Sequence, residues 1–377
     1  MDWDIQLSEL NYDDAERLAV DAVIRNEWLT MGSLSAEFEG QFSKFIEHEQ
    51  DGIFVSSATA GMHLILMALG IGSGDEVIIP ALTFVSDANV VLQLGAQPIF
   101  ADSISLSNFN VSEDDIIDKI TSRTKAIVLV HFAGHPLKFD KLASLAKEKN
   151  IPIIEDCAHA PGASVGDLKC GSIGDFSFFS FFSNKNLSTG EGGMVFANDV
   201  EMSKKIRLMR SHGMTAVTLE RHKGRASSYD VAVPGLNYRA DEIRAALGLE
   251  QLKKLPSGNM KRQELFERYV ANFAGSAIAT PFADRESNCV SAYHIMPVIL
   301  PDDVNRDEVI AALKNHRIQT SIHYPSFKSF SAYSDLLREC HLPVSDDICR
   351  RELTLPLHPR MTLENVDKVS KLLLGAV

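Results

Sequence analysis

Short apolar runs alternate with segments of helical periodicity over the first half of the chain. The runs lie at residues 53–55, 76–79, 98–101, 126–130 and 152–155, and helical periodicity lies between them at 59–69, 85–94, 112–120 and 139–148. AIVLV and IPII are apolar throughout, which is typical of strands buried on both faces of a sheet. The alternation predicts an α/β fold with a mostly parallel sheet covered by helices.

The order of elements changes after residue 170. DFSFFSF and GMVFAN predict two strands with little chain between them, and a long helix follows at residues 241–273. Beyond it we expect a strand in SAYHIMPVIL, a helix at 306–316, a strand at 319–323 and a last helix from Thr362. We therefore predict a large domain at residues 1–255, which begins with a helical segment, and a smaller α+β domain at 256–377.

Composition and charge narrow the range of partners. Of 377 residues, 45% are hydrophobic and 23% charged, as in folded globular proteins. The 37 basic and 50 acidic residues give a net charge of −13, which argues against nucleic acid as a partner. The start of the chain is acidic, unlike a signal peptide, and the purely apolar stretch 64–69 is too short to span a membrane.

The five cysteines are scattered along the chain and form no CxxC pair. This pattern indicates neither a disulfide framework nor a zinc or iron-sulfur site. We therefore expect no metal and a cytoplasmic location.

Two strand ends carry residues that can bind a ligand at the sheet edge where α/β proteins usually do so. SSATAG at residues 56–61 leads into a helix, whose free N–H groups can hold a phosphate; the alternative is an ordinary helix cap. Asp156 ends another strand, where its carboxylate can hold a protonated ring nitrogen or serve only as a cap.

Two further segments follow later in the chain. Lys185 lies between an aromatic strand and a glycine-rich turn, where burial would make its amine nucleophilic, as a Schiff-base lysine requires; in a solvated turn it would be an ordinary lysine. Asn237, in GLNYR, can donate to a phosphate near the start of the long helix or serve only the turn. The residues alone leave these alternatives open.

Together these segments resemble the DegT-type sugar-nucleotide aminotransferases, which depend on pyridoxal phosphate (PLP) and have the fold of type I. The resemblance extends over nearly the whole chain and is carried by WLTMG, SSATAGMHLILMALGIGSGDEVIIPALTFVSDANVV, VHFAGHP, IEDCAHAPGA, GSIGDFSFFSFFSNKNLSTGEGGM, RSHG, GLNYRADEIRAALGLEQL, IHYP and LPLHP. It implies a large PLP-binding α/β domain and a small C-terminal α+β domain.

The resemblance also implies roles for the residues around the cofactor ring. Lys185 would be the catalytic residue, which bonds to PLP and later moves protons between substrate carbon and cofactor. Asp156 would keep the pyridine nitrogen protonated. Phe84 would stack on the ring, and His159 would lie near its phenolic oxygen.

A second set of implied roles concerns the cofactor phosphate. The backbone of Ala58 and Thr59 and the hydroxyl of Ser180 would hold it. Asn237 would reach the phosphate bound to the other subunit, so that the active sites belong to a homodimer.

The family pattern implies an amino donor and an acceptor class. L-glutamate would supply the amino group, and a nucleotide-linked keto sugar would receive it. SSATAGMHLILMAL is most similar to enzymes that act on 4-keto sugars of UDP. The product would enter polysaccharide, lipopolysaccharide or glycoside biosynthesis. Basic residues within 221–225 and Lys328 are candidates for binding the pyrophosphate, and solvated charges are the alternative.

Other functions are less consistent with the sequence. GIGSG at residues 70–74 follows a helix and leads into a strand, the reverse of a dinucleotide fingerprint. His131 and His135 bracket Gly134, so a regular helix does not present both to a metal. A PLP-dependent sugar dehydratase would replace Lys185 by histidine, and a non-catalytic regulator or scaffold would have little reason to keep Lys185, Asp156 and Ser180 together.

Overall fold

The computed structural model of the chain describes residues 2–215, 228–284, 288–333, 336–337 and 340–377. The strands are β1 (Ile53–Val55), β2 (Glu76–Pro80), β3 (Gln97–Ala101), β4 (Ser103–Ser105), β5 (Asn108–Val111), β6 (Thr124–Val130), β7 (Ile153–Asp156), β8 (Ser164–Val165), β9 (Leu168–Lys169), β10 (Phe176–Ser180), β11 (Gly193–Ala197), β12 (Cys289–Val290), β13 (Met296–Ile299) and β14 (Glu352–Leu355). The α-helices are α1 (Asp14–Arg25), α2 (Ser33–Phe45), α3 (Ala58–Leu69), α4 (Ser86–Gln93), α5 (Glu113–Asp118), α6 (Asp140–Lys149), α7 (Val200–Met209), α8 (Glu242–Phe273), α9 (Arg306–Asn315), α10 (Pro343–Arg351) and α11 (Leu363–Leu374).

Seven strands form the central sheet, in the order β1-β11-β10-β7-β6-β2-β3. All neighbours in it are parallel except β11, which is antiparallel to both β1 and β10. Both faces of the sheet are covered: along β6, Ile127 and Leu129 pack into one apolar cluster and Val128 into another. The predicted α/β fold with a mostly parallel sheet is confirmed.

The C-terminal part packs around a separate apolar cluster. β13 and β14 pair antiparallel, and α9 and α11 contribute Leu313, Val366 and Val369 to this cluster. The expected domain boundary near Pro256 lies inside α8, which runs through this proline. Helix α8 therefore reaches from the large part of the fold into the C-terminal part.

One predicted strand is wrong. Residues 319–323 form no strand, and only Ser321 pairs, in a single bridge to Thr354. Three residues beyond this bridge, the Tyr324 hydroxyl lies 3.1 Å from His159 Nε2, so the chain here has moved from β14 to the edge of the central sheet. In addition, the strand predicted in SAYHIMPVIL is confined to β13.

The longest helix, α8, has 32 residues and carries charged side chains along its length. Within the described ranges, no helix combines the length and apolarity that crossing a membrane requires.

Candidate active site

A cavity of about 300 Å³ opens at the carboxyl ends of the central strands. The register explains its position, since Asp156 at the end of β7 lies beside Val130 of β6 and Phe178 of β10. Seven of the eight residues predicted for the site line this cavity: Ala58, Thr59, Phe84, Asp156, His159, Ser180 and Lys185.

The eighth residue, Asn237, lies outside this cavity. It is exposed, and its backbone pairs with Ser211 in an isolated bridge. Lys328 is also outside the cavity lining and forms an ion pair with Asp346 at 2.6 Å. The basic residues at 221–225 lie outside the described residues.

Lys185 is held by a tight turn after β10, in which its backbone N–H donates to the carbonyl of Phe182 at 2.9 Å. Burial disfavours the charged amine and lowers the pKa of Lys185 to about 8, and the nearby Asp156 carboxylate opposes part of this shift. More of the neutral, nucleophilic amine is therefore present at neutral pH than for an exposed lysine.

Asp156 is buried, and its Oδ1 accepts a hydrogen bond from the N–H of Ala158 at 2.8 Å. Burial raises the pKa of Asp156 to about 6, and the Ala158 N–H and the Lys185 charge oppose the shift. The group remains mainly ionised at neutral pH. It can therefore stabilise a proton on a ring nitrogen in the cavity.

A second buried carboxyl group lies close by and was missed in the sequence. Asp87, near the start of α4, accepts a hydrogen bond from the Thr83 hydroxyl at 2.6 Å. Burial, and then the charge of Asp156, raise the pKa of Asp87 well above its ordinary value. Asp87 is therefore harder to ionise than an exposed aspartate.

The opposite end of the cavity is built from the start of α3. Ser57 caps this helix by accepting from the N–H of Ala60 at 3.1 Å, and the first helical residues are Ala58 and Thr59. Gly193 lies opposite Val55 and Ser180 in the sheet, and a Cβ at Gly193 would come within 2.7 Å of the Ala58 nitrogen. Glycine thus lets the helix start approach β10 and β11.

His159 is buried and neutral. Its Nδ1 accepts from the N–H of Ala133 at 3.2 Å, so the ring proton is assigned to Nε2, which lies 3.1 Å from the Tyr324 hydroxyl. Burial, and then the positive charge of Lys185, lower the pKa of His159 well below its ordinary value. Tyr324 and the adjacent His323 line the same cavity, and the quoted segment IHYP was their only signal in the sequence.

A buried cluster next to Asp156 contains Glu155, the preceding residue of β7, and His131, one of the two histidines considered above as a metal ligand. His131 Nε2 is 2.8 Å from Glu155 Oε2. Glu155 also accepts three backbone N–H groups from the turn before β10, at Gly171, Ile173 and Gly174. With these partners the carboxylate fixes the turn that leads into β10.

These groups fit PLP in chemistry. A helix start with a nearby hydroxyl, that of Ser180, suits a phosphate. The Asp156 carboxylate suits a protonated pyridine nitrogen, and the Lys185 amine suits an aldehyde. A mostly parallel sheet with such a cavity at the carboxyl ends of its strands is typical of the PLP-dependent transferases of fold type I, and we assign the chain to this class.

Comparison with known proteins identifies the family. The profile of the DegT/DnrJ/EryC1/StrS aminotransferase family matches residues 11–374, so the chain belongs to this family. It is 36% identical over 362 residues to the spore coat polysaccharide biosynthesis protein SpsC of Bacillus subtilis, covering 93% of this chain and 91% of SpsC.

Solved structures agree with this assignment. The PLP form of Spr1654 from Streptococcus pneumoniae is similar with a TM-score of 0.90 and 29% identity, over 100% of this chain and 98% of that one. DesI, solved in the presence of its TDP-sugar product, has a TM-score of 0.86 and 25% identity, over 99% and 92% of the two chains. The chain is a PLP-dependent aminotransferase of the class that acts on sugar nucleotides, and the predicted family, activity and cofactor are confirmed.

Proposed function

We propose that this aminotransferase moves an amino group from L-glutamate to the ketone of a nucleotide-linked sugar, with a 4-keto sugar of UDP as the favoured acceptor. The observation that carries the proposal is the buried Lys185 amine, which shares one cavity with the Asp156 carboxylate. The nucleotide-linked product of DesI supports the substrate class. The similarity to SpsC supports a product that enters polysaccharide, lipopolysaccharide or glycoside biosynthesis.

Lys185 and Asp156 perform the proton chemistry in this proposal. When bound, PLP supplies an electron sink for the electrons left on the substrate carbon by proton removal. Lys185, with a pKa of about 8, takes the proton from the donor carbon and later returns one to the sugar carbon. Asp156, ionised at neutral pH, holds the proton on the ring nitrogen.

The remaining cavity residues orient the cofactor. We assign the phosphate to the backbone N–H groups of Ala58 and Thr59 and to the Ser180 hydroxyl, because these groups lie at the helix start. Phe84 lines the cavity with 55% of its surface exposed and lies beside Tyr324, with 5.9 Å between the ring centroids; we assign it to stacking on the ring face. His159 is assigned to the phenolic oxygen as a neutral imidazole.

A homodimer with shared active sites completes the proposal. Asn237 does not line the cavity of its own chain and is exposed, which supports the role of binding the phosphate in the other subunit. The five cysteines are all free, which supports the predicted cytoplasmic location.

The proposal is tested by visible absorption of the purified enzyme before and after L-glutamate. We expect the PLP band to give way to that of pyridoxamine phosphate. A set of UDP- and TDP-linked 3-keto and 4-keto sugars, added next, should restore the PLP band with the true acceptor, and mass spectrometry should detect the amino sugar. A response to other amino acids but not to glutamate would contradict the assigned donor.

Replacing the lysine tests its role directly. Lys185→Ala should lower turnover by at least about four orders of magnitude, because it removes the amine that moves the protons. Far-UV circular dichroism should show that the fold is retained. Lys204→Ala is the control, because Lys204 is exposed and forms an ion pair with the exposed Glu201 at 2.7 Å on the surface helix α7. Normal turnover in Lys185→Ala would refute the mechanism.

A further inference from the structure

Three residues of the C-terminal part form a hydrogen-bonded chain that ends at the cavity. Glu352 Oε1 is 2.5 Å from Thr354 Oγ1, which is 2.8 Å from His323 Nδ1. The other carboxyl oxygen of Glu352, Oε2, accepts the backbone N–H of His323 at 2.8 Å. Since Nδ1 is engaged by Thr354, Nε2 is the ring nitrogen left to face the cavity that His323 lines.

Counting protons shows that the protonation of Glu352 and the tautomer of His323, at the two ends of this hydrogen-bonded series, depend on each other. The Thr354 hydroxyl has one proton, so it can donate to Glu352 or to His323 but not to both. If Glu352 is protonated, its O–H donates to Thr354, Thr354 donates to His323 Nδ1, and the ring proton lies on Nε2. If Glu352 is ionised, Thr354 donates to the carboxylate, His323 Nδ1–H donates to Thr354, and Nε2 carries a lone pair.

We propose that Glu352 and Thr354 are positioning residues that set the tautomer of His323. The cavity then meets an N–H donor at His323 Nε2 when Glu352 is protonated and an acceptor when Glu352 is ionised. The donor form suits an oxygen of the bound substrate, such as a hydroxyl or the ketone of a sugar. This consequence rests on the proposed function, whereas the tautomer itself does not.

The electrostatics define which form is present near neutral pH. Burial raises the pKa of Glu352 to about 8, although the Thr354 hydroxyl, the His323 N–H and the Arg306 charge oppose the shift. Burial, and then the positive charge of Lys185, lower the pKa of His323 to about 3, so its ring is neutral. At pH 7 Glu352 is mainly protonated, and Nε2 is a donor; above about pH 8 the acceptor form takes over.

Other titratable and charged groups lie near the hydrogen-bonded residues Glu352, Thr354 and His323, on the elements packed around them. Arg306 of α9 donates from Nη1 to the carbonyls of Glu352 and Cys349, at 2.9 and 2.6 Å. The groups that interact electrostatically with Glu352 are Arg306, Cys349 and Tyr324, and those that interact with His323 are Lys185, His159 and His294. Cys349 and Tyr324 have raised pKa values because of burial, so neither supplies a charge near pH 8.

The test is nitrogen NMR of the holoenzyme labelled with ¹⁵N-histidine, recorded from pH 6 to 9.5. His323→Asn serves only to assign the His323 signals. Glu352→Gln mimics the protonated carboxyl group: its oxygen accepts the His323 N–H, so its NH₂ must face Thr354. Thr354→Val removes the hydroxyl, and Thr354→Ser is the matched control that keeps it.

We expect wild-type His323 to change from the Nε2–H to the Nδ1–H tautomer near pH 8. Glu352→Gln should keep Nε2–H throughout, Thr354→Val should lose the transition, and Thr354→Ser should retain it. A wild-type ring with one tautomer over the whole range, or a Glu352→Gln variant that titrates like wild type, would overturn the proposal. If Glu352→Gln fails to fold, the two Thr354 variants still decide.

The readout separates this proposal from the proposed function. The NMR signals report the tautomer whether or not a keto sugar is converted. An enzyme inactive on every keto sugar that still shows the transition would contradict the substrate assignment alone.

Discussion

Two neighbouring buried carboxyl groups, Asp156 and Asp87, differ in the groups that stabilise their charged forms. Asp156 carries the charge because it accepts the Ala158 N–H and lies near Lys185. Asp87 accepts hydrogen bonds from the hydroxyls of Thr83 and Ser86, and burial raises its pKa well above the ordinary value. Two carboxylates in one dry site repel each other, and only one ionises readily.

Paired amide substitutions test this difference. Asp87→Asn keeps a neutral acceptor for Thr83, so the rate of the glutamate half-reaction at pH 7 should stay within about threefold of wild type. Asp156→Asn removes the charge beside the ring nitrogen and should slow the same step by about two to four orders of magnitude. Stopped-flow absorbance measures both rates. Equal losses in the two variants would contradict the assigned charges.

From the sequence, candidate site residues could be placed where they end a strand, follow one by a short turn, or begin a helix. Asp156 is the last residue of β7, Lys185 lies in the turn that follows β10, and Ala58 begins α3. Seven of the eight predicted residues line one cavity. His323 could not be predicted in this way, because it enters the site only when the C-terminal part packs against the sheet. Asp87 was missed because an aspartate in the first turn of a helix usually means a favourable dipole contact, and its burial is a tertiary effect.

At the scale of elements, the phosphate end of the site depends on how closely α3 approaches the sheet. Gly193, at the start of β11, lies between the last residue of β1 and Ser180 of β10. A Cβ there would be 2.7 Å from the Ala58 nitrogen and 2.8 Å from the Phe179 carbonyl oxygen. Both contacts are with backbone, which cannot rotate away as a side chain can.

Gly193→Ala should therefore separate α3 from β10. We expect a loss of about 1–3 kcal/mol in the free energy of unfolding, as for overpacked cores, and weaker PLP binding. Urea denaturation and fluorescence titration with PLP measure the two effects. Gly72→Ala is the control, since a Cβ there has only an ordinary contact of 3.9 Å; unchanged PLP affinity in Gly193→Ala would contradict the prediction.

Elements with a local pattern were predictable, and those defined by pairing were not. β6 contains the apolar run AIVLV and β7 begins with two isoleucines, and α8 was expected at residues 241–273. The hairpin of β4 and β5 and the small sheet of β12, β8 and β9 were missed. These strands have only two to four residues each, which is too short for an alternating pattern to stand out, and β12 pairs with a strand more than a hundred residues away. Residues 319–323 have a strand-like pattern, but only one position finds a partner.

At the scale of the whole molecule, the proposed dimer has active sites that combine residues from both subunits. The buried Lys185 acts in the site of its own subunit, and the exposed Asn237 binds the phosphate in the site of the other subunit. Within one chain Asn237 does not line the cavity that contains Lys185. Each active site would then need Lys185 from one copy of the chain and Asn237 from the other.

Mixing two inactive variants tests this arrangement. Lys185→Ala removes the amine, and Asn237→Asp places a negative charge beside the phosphate. A hybrid dimer would have one site with both defects and one intact site, so activity should rise above that of either variant alone. The measurement is turnover after the subunits have been exchanged in mild denaturant. No gain, although mass spectrometry detects hybrids, would contradict the shared site.

Helix α8 contributes to two apolar cores and therefore couples the unfolding of the two parts of the protein. With 32 residues at about 1.5 Å each, it is about 48 Å long. Leu249 and Leu252 lie in the aromatic cluster under the PLP-binding part, and Phe266 and Tyr269 lie in the C-terminal core. Because melting of one end would withdraw packing from the other, we expect loss of C-terminal structure to be accompanied by loss of cofactor binding.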